Sequence, residues 1–201
     1  KSIELNDKYG NSTYNLAFAY LYQGDQTNAL KYAIKSIALY DDKAYKGDAA
    51  RMSAEIYGKL NDSKNEIRYY ELSDKIDPQN YYTLKMLLAK YVNINDLKEK
   101  ETLNTFYSLA PENPTIYNDL TNIYANKSAE LIIFYENKLP QYNANKKIYG
   151  NLNFYLAQLY IASNKTKAKE CLLKAKSSFE GTFAKDNAVF KAIDTLMKQT
   201  D

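Results

Sequence analysis

The stretch TYNLAFAYLYQGDQTNALKYAIKSIALY, residues 13–40, decides the fold. Its first ten residues place Thr13, Leu16, Ala17 and Tyr20 at three- and four-residue steps, one stripe of a 3.6-residue helix. Small residues in that stripe let a second helix approach closely. Gln23-Gly24-Asp25 then interrupts the pattern, with Gly24 supplying the permissive backbone of a turn. Apolar residues return as Ala29, Leu30, Ala33, Ile34, Ile37 and Ala38, a broad face of the kind buried against two neighbours. The stretch predicts a helical hairpin, with helix A over 13–22 and helix B over 27–40.

Working outward, the hairpin recurs. Tyr20 returns as Tyr57, Tyr91, Tyr124 and Tyr160, at intervals of 37, 34, 33 and 36 residues. Such an interval fits a two-helix unit in tandem. The break returns as Leu60-Asn61-Asp62, Ile94-Asn95-Asp96, Ala125-Asn126-Lys127 and Ser163-Asn164-Lys165. There Asn is expected to take the left-handed backbone that Gly24 takes in the first unit. Pro78 and Pro111 stop the second and third helix B. The third helix B is expected to bury Leu97, Leu103, Phe106, Leu109 and Ala110. In the fourth, the run Leu131 to Tyr135 is dense enough to be buried on several sides. A last amphipathic helix over 186–198 presents Val189, Ile193, Leu196 and Met197, as a cap would. The opening Lys1-Ser2-Ile3-Glu4-Leu5 mirrors Lys35-Ser36-Ile37-Ala38-Leu39. The expected organisation is the C-terminal part of a truncated preceding repeat over 1–9, five tandem helical-hairpin repeats over 10–179, and the capping helix.

Composition narrows the function. Lys and Arg number 27 against 24 Asp and Glu, a formal charge of +3, too balanced for a phosphate-binding surface. No nucleic-acid partner is expected. The chain has no His and one Cys, which excludes Ser-His-Asp, Cys-His and Cys/His metal chemistry. Its six Gly form no phosphate-cradling cluster. Neither an enzyme nor a cofactor is expected. No run of about 18 apolar residues exists, so no transmembrane segment is expected either. The compartment stays open.

The units resemble the tetratricopeptide repeat family through Leu16-Ala17, Tyr20, Gly24, Ala29 and Ala33, and through Ala54, Tyr57 and Asp77-Pro78. The resemblance implies an all-α, right-handed α-α superhelix, a tetratricopeptide-like solenoid, whose inner groove is lined by helix A and binds segments of other proteins. Carried onto this chain, the family's inward positions give partner-binding candidates Tyr14, Phe18 and Tyr22 in the first unit and Arg51, Glu55 and Lys59 in the second. Tyr82 and Lys85 follow in the third, Asn118 and Asn122 in the fourth, Phe154 and Gln158 in the fifth. The aromatics offer anchor area with few rotors to freeze. Arg51, Lys59 and Lys85 are suited to a carboxylate, and Asn118, Asn122 and Gln158 to a ligand backbone. The family also includes chaperone adaptors that clamp a C-terminal carboxylate. Tyr14 and Phe18 stand where the first Lys and Asn of that clamp belong, which argues against this ligand.

The leading expectation is a non-catalytic protein–protein interaction module that binds a peptide or helix of a partner, as adaptor or assembly scaffold. Two alternatives stand beside it: a structural component that associates with itself, and a regulatory repeat domain of a larger protein.

Overall fold

A computed structural model describes residues 9–92 and 94–200, and every regular element among them is helical. The expected remnant of a preceding repeat lies outside the described residues, apart from Tyr9. The chain divides into two compact units, Lys1–Leu109 and Ala110–Asp201. The first holds α1 (Gly10–Tyr22), α2 (Gln26–Leu39), α3 (Lys43–Lys59), α4 (Ser63–Ile76), α5 (Tyr81–Tyr91) and α6 (Asp96–Leu109). Each of these helices packs on the next, so the unit is a stack of helix pairs. The second holds α7 (Pro114–Ile123), α8 (Ser128–Lys138), a 3₁₀ turn (Leu139–Tyr142), α9 (Lys146–Tyr160), α10 (Lys165–Glu180) and α11 (Ala188–Met197). There α7 packs on α8, α8 on α9, α9 on α10 and α10 on α11.

The chain's Asn and Asp residues define most helix starts. A helix leaves its first N–H groups without intrahelical partners, and a short polar side chain just before it can accept from them. Asp42, Asn80, Asn113, Asn145 and Asn187 do this for α3, α5, α7, α9 and α11. In α2 the cap is reinforced, since Asp25 accepts from both the backbone N–H of Asn28 at 3.0 Å and its side-chain amide at 2.6 Å. Asp62 and Asn65 repeat the arrangement in α4, at 3.1 and 2.7 Å.

These caps correct the expectation for the breaks. Gly24, at φ +82°, and Asn61, at φ +60°, do adopt left-handed backbone, but Asn95, Asn126 and Asn164 do not. Asn95 instead accepts from the N–H of Lys98 and Asn164 from that of Lys167. Two other expectations also change. Leu97 is 78% exposed, because the first turn of α6 buries Glu99 and turns Leu97 outward. The run in α8 is buried on one side only: Leu131 and Tyr135, one turn apart, are covered, whereas Ile133 faces solvent.

The cores are built where small residues admit a neighbour. Ala17, Ala29 and Ala33 from α1 and α2 meet Met52 and Ile56 of α3. In the second unit Ala157, Leu172, Ala175, Phe179 and Ile193 bring α9, α10 and α11 together. The recurring tyrosines sit in these seams. Tyr20 stacks on Tyr32 at 5.5 Å, and Tyr57 packs on Tyr69 at 5.1 Å. Tyr91, Tyr124 and Tyr160 are buried. Tyr91 donates to Glu71 at 2.7 Å, and Lys98 pairs with the same carboxylate while lying over the Tyr91 ring. Tyr160 donates to Glu136 at 2.6 Å, with Lys167 in the same role.

Burial of the phenols carries a pH signature. Burial raises Tyr70, Tyr91 and Tyr155 above the ordinary 10.0, with the Glu71 hydrogen bond adding to the effect at Tyr91. The fold favours the neutral phenol, so this contribution is whole below the unfolded value and is lost as pH rises above it. Thermal melts should therefore fall steeply above pH 10. Near-ultraviolet absorbance should show a subset of the 21 tyrosines ionising only as the helical signal disappears. Simple titration of every tyrosine at the ordinary value, with helicity intact, would contradict this burial.

Candidate functional site

Eight of the candidate residues lie in the first unit and four in the second. On α1, Thr13 and Ala17 are buried and Tyr14 is half-buried against the core. The next positions around the helix, Phe18 and Tyr22, are 57% and 90% exposed. Tyr82 on α5 is 65% exposed. Tyr14 meets the Tyr40 ring edge-on at 6.3 Å, Tyr40 stacks on Tyr45 at 5.5 Å, and the Tyr40 hydroxyl donates to Asn11 at 3.0 Å. Burial raises the Tyr14 pKa, with Arg51, Asp48 and Glu55 close enough to modify it. This places the aromatic side of α1 beside the charged side of α3.

Arg51 is already engaged by carboxylates of its own helix. Its guanidinium donates to Asp48 at 3.1 Å and to Glu55 at 2.7 Å, and is occupied from both sides. Burial works against the charged guanidinium, yet the two carboxylates hold its pKa above the ordinary value. One cation between two anions leaves the trio net negative, which repels a ligand carboxylate. Lys59 is exposed one turn beyond Glu55, and Lys85 is half-buried on α5. Exposed Tyr45, missed in the sequence, lies one turn before Asp48 on α3; its three-residue spacing from Asp48 was the signal.

In the second unit Asn118 and Asn122 are exposed on α7, and Asn118 accepts from the Tyr155 hydroxyl at 3.0 Å. Phe154 is half-buried and Gln158 exposed on α9. Both line an open cleft of about 490 Å³ whose other wall is α11. The sequence marks α11 as a cap; its part in a cleft was not legible, because that depends on the angle at which it returns. Cys171 is half-buried and burial pushes its thiol pKa up, away from nucleophile chemistry. Among the described residues no group of three or more Cys, Asp or Glu is placed to hold a metal ion, and no helix is long and apolar enough to cross a membrane.

No family model matches the chain, and no curated protein does. Solved structures do. The chain is similar to one in the APC/C hetero-tetramer Cut9–Hcn1, at 17% identity and a TM-score of 0.53, over 99% of this chain and 38% of that one. It therefore spans well under half of that chain. It is also similar to a putative kinesin light chain of Podosopora anserina with nearly identical TPR-like repeats, at 15% identity and a TM-score of 0.48, over 87% of this chain and 97% of that one. A third is a thermophilic TPR protein of Thermus thermophilus, at 14% identity and a TM-score of 0.43, over 94% and 99%. At these identities the likeness is one of fold alone: this is an all-helical protein of stacked helix pairs.

Proposed function

We propose that this protein is a non-catalytic interaction module that binds a segment of a partner polypeptide on the faces of its first-of-pair helices, as an adaptor or assembly scaffold. One observation carries the reading. Helix α1 buries its small-residue stripe and leaves Phe18 and Tyr22, a turn apart, uncovered. Exposed aromatics side by side present large contact area at little rotamer cost, the property of interface anchors. The likeness to TPR-containing proteins is consistent with the reading.

The test is selection of random displayed peptides on the full chain, then titration onto wild type and onto the variant Phe18→Ala/Tyr22→Ala/Tyr82→Ala. One class of peptides should lose about tenfold or more in affinity, while the melting temperature stays nearly unchanged. If no peptide is retained, or none distinguishes the variant, this surface is not a binding site.

Self-association is the second reading, favoured by Ile94 and Leu97, two apolar side chains exposed together at the α5–α6 turn. Under it, light scattering gives a concentration-dependent mass that Leu97→Glu abolishes.

A further inference from the structure

We propose that the cleft between α9 and α11 is a second docking site, which takes a short extended segment carrying an apolar side chain next to Asp or Glu. The inference rests on the reading of the protein as a polypeptide binder and adds both a place and a ligand chemistry. Phe154 and Leu196 have one side in the core and the other on the cleft, so their exposed area forms apolar walls. Ala188 and Ala192, one helical turn apart, keep the α11 side free of bulk and let an incoming backbone approach closely. On its other side α11 packs Val189, Phe190, Ile193 and Met197 into the core.

Charge selects the occupant. Lys191 is the charged side chain that lines the cleft. The acid of this helix, Asp194, is turned toward α10, where it pairs with Lys176 at 2.9 Å. Gln158 supplies a neutral donor and acceptor on the opposite rim. An incoming carboxylate is thus attracted and an incoming ammonium repelled. A single lysine beside an apolar floor is too little to follow a phosphate backbone.

The same peptide selection tests this with different variants. Peptides still retained by the Phe18/Tyr22/Tyr82 variant are titrated onto the full chain carrying Ala192→Arg, which fills the cleft, or Lys191→Glu at an exposed position that should not disturb folding. Those peptides should carry an apolar residue beside a carboxylate. Their binding should be lost on Ala192→Arg, weaken about tenfold on Lys191→Glu, and weaken as salt is raised. Retained peptides that are basic, or indifferent to Lys191→Glu, overturn the proposal. So does a concentration-dependent mass that Ala192→Arg abolishes, since the occupant would then be a second copy. If wild type retains peptides and the aromatic variant retains none, the cleft falls and the α1 surface stands; if wild type retains none, both fall.

Discussion

Tyr117→Ala is expected to destabilise the unit over 110–201 by about 3–5 kcal/mol, the range for removing a fully buried aromatic. Tyr117 is 0% exposed and holds three helices at once. From α7 its ring stacks on Tyr155 of α9 at 4.8 Å and tilts against Tyr135 of α8 at 5.5 Å. Each such aromatic pair is worth about 0.5–1.5 kcal/mol beyond the area it buries. The hydroxyl donates to the Pro111 carbonyl at 2.8 Å, fixing the segment that leads into α7. Tyr117→Phe separates the contributions, since it keeps the stack and loses one hydrogen bond, about 1 kcal/mol. Urea titration followed by circular dichroism should rank wild type above Phe and Phe well above Ala. Equal losses for the two variants would show that the hydroxyl, and not the stack, holds these helices together.

Tyr117 also shows what could be read from the chain alone. It stands seven residues before Tyr124, in the stripe that Thr13 occupies before Tyr20, and periodicity is enough to assign it to the buried side of a helix. The same periodicity, with Gly24 and Asn61 in the turns, located the hairpins. What it could not do was apportion polar side chains among competing jobs. Asn95 and Asn164 looked like turn residues because Asn tolerates left-handed backbone, yet both serve as caps, a use that depends on whether the next residue begins a helix. Arg51 is the opposite case. Asp48 and Glu55 stand three residues before it and four after it, the spacing at which helical side chains meet. The trio was therefore legible from its spacing alone. The α9–α11 cleft lies beyond any local pattern, because its walls come from helices separated by the whole of α10.

Lys90→Ala should produce the other large loss, about 2–3 kcal/mol, somewhat below the full cost of breaking a buried ion pair because Lys90 is partly open to solvent. Glu66, on the first turn of α4, is 5% exposed and pairs with Lys90 of α5 at 2.7 Å. Its carboxylate lies against α3: a Cβ at Gly58 would stand 2.7 Å from the Glu66 Oε1. Close approach on that side leaves the carboxylate little room to swing out to water once its cation is gone. The pair joins the second hairpin to the third, so Lys90→Ala strikes a seam between neighbours in a stack where stability is passed from neighbour to neighbour. A surface ion pair would cost at most about 1 kcal/mol. The double variant Glu66→Leu/Lys90→Met distinguishes the cases, because replacing both partners by apolar groups of similar size removes the stranded charge together with the pair. Denaturant unfolding should place the double variant near wild type and well above Lys90→Ala. If Lys90→Ala alone is as stable as the double variant, Glu66 reaches water without its lysine and the seam is held by its apolar contacts alone.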